Sequence, residues 1–340
     1  MPLFSRIIFT FRHRGGARRR RSYLYAAAFV AVIAALVAIG YALFPSGGGR
    51  EQAGDWAPYQ WPIKPFDRPH PIRGNLDDPR MTKHRIGGDE LEFHSGVDIS
   101  APGGTAVYTV AAGHVCALGG GYRGRPTTVG VCGKGFEFAY WHIRPVVESG
   151  QHLAEHQLLG YVMKKWGHVH LSEMWAGRTW NPLRAGALTP YDDHSKPTIV
   201  SAMLYRHGSY LSVSGASLSG RVDLVVNAFD TPELKSNWPW ARVTPALIRW
   251  RLLSEATGKA LIPTRTSLDF RLSKLKVAPT EVFAPGTRKN SVRRVGVYNF
   301  WLVRGLDTHE MPNGAYKLVV LASDTRSNTA KRTLELTVAN

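Results

Sequence analysis

The sequence predicts a mainly β protein: one N-terminal transmembrane helix, an antiparallel β-sheet domain, then a second β domain. Three observations carry this. A single apolar run of 22 residues, Tyr23 to Phe44, stands near the N-terminus. Beyond it, short runs rich in Val, Thr, Tyr and Phe are separated by Gly and Pro and show little helical period. A turn-rich stretch, Asn181 to Pro197, divides those runs into two series. A length of 340 residues suits about two globular domains, and 44% apolar with 20% charged residues excludes a wholly disordered chain, a coiled coil and a collagen-like fibre.

Residues 1–21 are a basic segment. Of the formal charge of +18, +8 falls within the first 50 residues, which hold eight Arg, no Lys and no acid. The run Arg18 to Arg21 is followed by an uncharged stretch from Ser22 to Gly49. A helix rises ~1.5 Å per residue and a bilayer core is ~30 Å thick, so 22–44 is long enough to span. Tyr23, Tyr25, Tyr41 and Phe44 suit the two interfaces. With no polar face, the run does not read as a helix of a soluble protein. A cleaved signal peptide is the alternative, although the run exceeds the usual ~7–15-residue core and lacks a clean small-x-small site. Within that alternative, Arg20 to Leu24 loosely resembles a twin-arginine export signal. Arginines ahead of the span place the N-terminus in the cytoplasm and the rest outside a cell membrane crossed once. Topology therefore accounts for the arginines, and no nucleic-acid partner is expected. The remaining net +10 is spread along the chain, as a solvated basic surface or as attraction to an anionic wall or glycan polymer.

Residues 45–60 read as a linker and 61–190 as one antiparallel β domain, with strands expected near 105–117, 127–133, 136–142 and 168–175. From 198 to 340 a second series begins. Ser219–Asp230, Asn313–Asp324 and the last nine residues alternate polar with apolar. About seven short strands over ~140 residues point to an immunoglobulin-like β-sandwich. Trp238 to Trp240 (WPW) is a core or loop-packing element, or else an exposed sugar-stacking patch.

The chemistry lies in histidines of the first β domain: His94 and Asp98 in HSGVD, His142 in YWH, and His168 with His170 in HVH. Two histidines and a carboxylate meet the ligand needs of a catalytic zinc, which keeps one position for water. In a strand, His168 and His170 point to one face, so one can hold metal while its neighbour faces substrate. Fully extended, His94 and Asp98 would stand ~13 Å apart, so a bend at Gly96 is needed to join them.

Taken in order, these pieces resemble the lysostaphin-like (LytM-type) zinc metalloendopeptidases that cut peptidoglycan. The likeness runs from about Trp61 to Pro190. HSGVDISAPGGTAVYTVAAGHV (His94 to Val115) matches that family's HxGxD motif and following strands, YWHI its Tyr-x-His, and GHVHL its His-x-His, with Asn181 to Leu183 a familiar close. The resemblance implies His94, Asp98 and His170 as ligands of one Zn²⁺ per chain. It implies His142 and His168 as the catalytic pair, one of them taking a proton from water and both hydrogen-bonding the oxyanion. The substrate implied is the peptide of peptidoglycan. Three departures stand out: Trp166 in the turn before His-x-His, Ser172 where an acid is usual (Glu173 follows), and Leu76 to Arg80 in place of Phe-Gly-x-Arg.

Cys116 and Cys132 can face each other across a hairpin with its tip near Gly121 to Pro126; a disulfide and two buried thiols both remain open. The leading expectation is a membrane-anchored zinc endopeptidase of the cell wall. The alternatives are a non-catalytic wall-binding regulator on the same fold, and an adhesion protein working through its C-terminal domain.

Overall fold

The computed structural model describes residues 57–84, 88–209, 217–236, 238, 242–291 and 293–340. The basic segment 1–21, the helix expected over 22–44 and most of the linker lie outside these residues, as do Pro239 and Trp240 of the WPW run. Among the described residues, no helix is long and apolar enough to cross a membrane. The described chain falls in one compact unit, Ala53–Asn340, and is built almost wholly from strands around two hydrophobic clusters.

The first thirteen strands are β1 (Ile72–Gly74), β2 (Pro79–His84), β3 (Gly88–Phe93), β4 (Val97–Ser100), β5 (Ala106–Tyr108), β6 (Gly113–Gly119), β7 (Thr128–Gly133), β8 (Phe136–Trp141), β9 (Ile143–Pro145), β10 (His152–Leu153), β11 (Leu158–Val162), β12 (His168–Trp175) and β13 (Arg178–Trp180). One sheet runs β1-β4-β12-β8-β7-β6-β10, with β13 added beside β12. A second runs β5-β11-β9, and β2 with β3 forms a separate hairpin. Side chains alternate faces along a strand, and the sequence follows that rule. Val97, Ile99, Val129, Val131, Phe138, Tyr140, Val169 and Leu171 are fully buried in the first cluster. Each such side chain contributes about 1.5–3 kcal/mol by leaving water. Asp98, His168, His170 and Ser172 fall between them and so face the other way.

Glu173 breaks the apolar pattern of the inner face. It is fully buried, chelated by Arg184 at 2.5 and 2.7 Å and bonded by the Tyr59 hydroxyl at 2.7 Å. A buried charge needs such partners, since an unpaired one costs several kcal/mol. Tyr59 itself, at the described end of the segment read as a linker, is built into this core and bridges to Leu188.

The second part holds β14 (Thr198–Arg206), β15 (Ser217–Leu218), β16 (Arg221–Phe229), β17 (Leu247–Ser254), β18 (Ala260–Asp269), β19 (Asn299–Asp307), β20 (Gly314–Ser323) and β21 (Thr329–Val338). They form a three-stranded sheet, β14-β16-β19, and a five-stranded one, β15-β21-β20-β17-β18. All pairs are antiparallel except β15 with β21. Every strand but β15 has eight to ten residues, longer than the short strands expected. The second cluster also takes in Leu76, just ahead of the β2–β3 hairpin, and Phe93, the hairpin's last residue, so that hairpin packs on the C-terminal core. Residues 272–274 extend β13: Asn181 N donates to Leu272 O at 2.8 Å and Lys274 N to Thr179 O at 2.9 Å.

Cys116 and Cys132 are bridged, with Cα atoms 5.7 Å apart. They are not direct cross-strand partners as the sequence reading expects. His114 stands opposite Cys132, and the register shifts between Val115 and Ala117. The extra residue of that bulge lets Cys116 share the outer face with Cys132 instead of pointing inward with Val131. The hairpin tip lies at Tyr122–Arg125, within the expected turn.

Candidate metal centre

Three separate segments converge on one point. β12 pairs with β4 so that His170 stands across from Asp98 and His168 across from Ser100. Directly opposed side chains on one face lie within reach of each other. His94 leaves the end of β3, and the chain bends at Gly96 before β4 begins. This brings His94 Nε2 to 3.1 Å from Asp98 Oδ1. Gly96 is required by clearance: a Cβ there would lie 2.2 Å from the Leu171 carbonyl oxygen. His94 Nε2 is 2.7 Å and Asp98 Oδ1 3.1 Å from His170 Nδ1. One donor atom from each of the three residues falls within 4.8 Å of the others, and all three residues are buried.

Neighbouring groups fix which atoms point inward. His94 Nδ1 lies 2.6 Å from the Asn75 carbonyl oxygen, which can only accept, so Nδ1 carries the proton and the Nε2 lone pair faces the cluster. His170 Nε2 meets Ser172 Oγ at 2.8 Å, leaving Nδ1 to face Asp98 and His94. Arg80 Nη2 donates to Asp98 Oδ2 at 2.8 Å, so Oδ1 is the free oxygen. Burial pushes the Asp98 carboxyl up, but His94, His168 and Arg80 outweigh it and hold the group well below the usual range. Burial, then the Arg80 cation, brings His94 down to about 3, and burial also lowers His170. The trio therefore presents two neutral imidazoles and one carboxylate. That set fits a zinc ion, which binds deprotonated N and O donors; His94, Asp98 and His170 would hold it, and Asn75, Ser172 and Arg80 orient those three side chains.

His142 and His168 stand beside the trio. His168 Nε2 is 3.4 Å from Asp98 Oδ1, and the His142 and His168 ring centroids are 4.6 Å apart. His142 closes β8 with a left-handed backbone, φ 68°, and its ring lies on Trp166, centroids 4.3 Å apart at 22°. Burial, then His168, lowers His142 to about 3, so it is neutral and able to accept a proton. Arg73 Nη2 reaches His168 Nδ1 at 2.6 Å and the Trp166 carbonyl at 3.0 Å, and its guanidinium lies 4.2 Å over the Trp238 ring. Trp238 thus packs against an arginine at the edge of the site. All five residues singled out in the sequence meet here.

Residues 92–182 match the sequence model of peptidase family M23. These residues belong to peptidase family M23. No curated protein matches the chain. Among solved structures, Csd3 of Helicobacter pylori is 22% identical, covering 37% of this chain and 34% of that one, with a TM-score of 0.29. The catalytic domain of the prophage-encoded M23 protein EnpA of Enterococcus faecalis is 22% identical over 39% of this chain and 99% of that one, TM-score 0.27. A zinc-containing peptidase of Vibrio cholerae is 20% identical over 36% and 38%, TM-score 0.27. The chain spans about a third of the Helicobacter protein.

Within the M23 domain, the sequence departures have local explanations. Ser172 Oγ sits in hydrogen-bond contact with His170 Nε2 at 2.8 Å, while Glu173 points to the opposite face and serves the core. Trp166 is a wall for His142. Sequence reading missed Asn75 and Arg73 as partners of the site, because lone polar residues ahead of HSGVD carry no pattern that points to it, and it gave Arg80 no role, although that residue ends the stretch standing in place of Phe-Gly-x-Arg. Outside the M23 domain, the described residues contain one more trio of ligand type: Asp193, Asp230 and Asp324, all buried, with carboxylate oxygens within 4.8 Å of one another. It is threaded by hydrogen bonds: Tyr191 OH and Ser195 N donate to Asp193, Thr231 N to Asp230, and Arg326 N with Asn328 N and Nδ2 to Asp324.

Proposed function

We propose that this chain is a zinc-dependent endopeptidase, anchored in the cell membrane by residues 22–44, that hydrolyses peptide cross-links of peptidoglycan. The observation that carries the reading is the buried trio His94, Asp98 and His170 with two further imidazoles beside it. The M23 match supports peptide hydrolysis, and the apolar run with its leading arginines supports the anchor. Residues 198–340 are read as an immunoglobulin-like sandwich, on the strength of their two mainly antiparallel sheets around one core.

A zinc ion held by the trio supplies Lewis-acid polarisation of a water and of the scissile carbonyl. The chain's own residues do the rest. His142, from the bend between β8 and β9, and His168, from β12, stand beside the trio, so that one would take the water's proton and both would hydrogen-bond the developing oxyanion. Trp166 restricts rotation of the His142 ring, and Arg73 that of His168. The assay is purified zinc-loaded protein on intact peptidoglycan, with and without chelator. New amino termini that appear only without chelator are expected. A chain that holds one zinc yet cuts no peptide bond would end the enzyme reading and leave a wall-binding regulator. Separately, the chain should remain with membranes after a high-salt wash.

A further inference from the structure

The C-terminal β domain reaches the metal centre through a short run of buried hydrogen bonds. The link begins at Thr244, fully buried ahead of β17. Its backbone N–H and its hydroxyl both donate to Asp78 Oδ1, at 2.8 and 2.7 Å. The other oxygen, Asp78 Oδ2, accepts from Asn75 N at 3.0 Å, and Asn75 Nδ2 donates to the Thr244 carbonyl at 3.2 Å. Asn75 O is the acceptor that sets the His94 imidazole. The same loop clasps the His94 backbone: Asp77 N donates to His94 O and His94 N to Asp78 O, both at 2.9 Å. From the far side, Leu275 N donates to Asp77 Oδ2 at 2.9 Å. Asn75, Asp77, Asp78, His94 and Thr244 are all buried.

Resting on the zinc reading above, we infer that the C-terminal domain is a positioning part of the metal centre: Thr244, acting through Asp78 and Asn75, aims the His94 imidazole at the metal. The M23 residues alone do not complete this shell. In the loop from Asn75 to Asp78, Asp78 Oδ1 is met by both donors of Thr244 and Asp77 Oδ2 by Leu275 N, all from beyond the M23 residues. A ligand held by a carbonyl is only as well aimed as that carbonyl is fixed, and partners of this kind typically change metal affinity 10–100-fold when removed.

The test uses the full chain, with zinc affinity read by chelator competition and ligand geometry by the visible absorption of the Co²⁺ form. Thr244→Val removes the hydroxyl at nearly constant shape and is expected to weaken zinc about 10-fold and to shift the cobalt spectrum. Thr244→Ser should restore both. Arg326→Met serves as the control, since Arg326 ties the two parts together elsewhere, through the Tyr191 and Leu183 carbonyls. It should lower Tm yet leave affinity and spectrum alone. Wild-type affinity and spectrum in Thr244→Val, or equal weakening in Arg326→Met, would overturn the inference. If Thr244→Val does not fold, Asp78→Asn reads the same link, because its amide cannot accept from both Asn75 and Thr244. Failure of the wild-type chain to bind zinc at all would instead sink the parent reading.

Discussion

Asp98 and Asp230 are the same residue in similar settings. Each is buried, each belongs to a trio of ligand-type side chains, and each trio is drawn from three separate segments. Their acidities move in opposite directions. Asp98 is held well below the ordinary carboxyl range because His94, His168 and Arg80 surround it. Asp230 is pushed well above it by burial, then by the like charges of Asp193 and Asp324. Depth in the protein is nearly equal, so the neighbours decide the sign. One trio is arranged to keep a negative charge facing two lone pairs. The other gathers three acids at the junction of 193–195 with the ends of β16 and β20, and ties them with hydrogen bonds.

The strongest way to break this contrast is to remove a ligand. His170→Ala is expected to drop bound zinc from one per chain to none and peptidase activity by about a thousand-fold or more, whereas Asp324→Ala should leave zinc content unchanged by metal analysis. Next, His142→Ala and His168→Ala should each lower kcat by on the order of 10²–10⁴-fold while zinc stays bound. Loss of zinc from either variant would mean that the residue holds the metal. Replacing both Cys116 and Cys132 with Ala, at a loop separation of 16 residues, should cost about 2–4 kcal/mol in chemical denaturation and spare activity.

The smallest expected effect concerns pH. A carboxyl with a raised folded-state pKa binds its proton more tightly folded than unfolded. Its contribution is therefore greatest in mild acid and is lost as pH rises above the unfolded value near 4. Asp230→Asn should raise stability at pH 8 by on the order of 1 kcal/mol and give no gain near pH 4. Equal gains at both pH values would show that the effect is packing alone.

Much of the M23 site was readable from residue order. The alternation in HVHLSEMW puts His168 and His170 on one face, and Gly96 sits where clearance demands it. The pairing of β4 with β12 was not readable, because a strand's own sequence does not name its neighbour. The cysteine hairpin was placed correctly, but its bulge was not: an added residue leaves no mark in a run such as HVCAL. Trp166 departs from the usual turn before His-x-His, and its stacking on the His142 ring has no signature in the sequence. Thr244 is 150 residues from His94, and only folding shows that both are hydrogen-bonded to the loop from Asn75 to Asp78.

One interior strand of the large sheet has a consequence of its own. β12 shows imidazoles on one side and Val169, Leu171 and Glu173 on the other, fixed by pairing on both edges. Slipping that strand by one position would bury the histidines in hydrocarbon and turn valine and leucine toward the cleft. An inserted or deleted residue in β12 would therefore turn every later side chain of the strand to the opposite face, whereas a substitution touches one position.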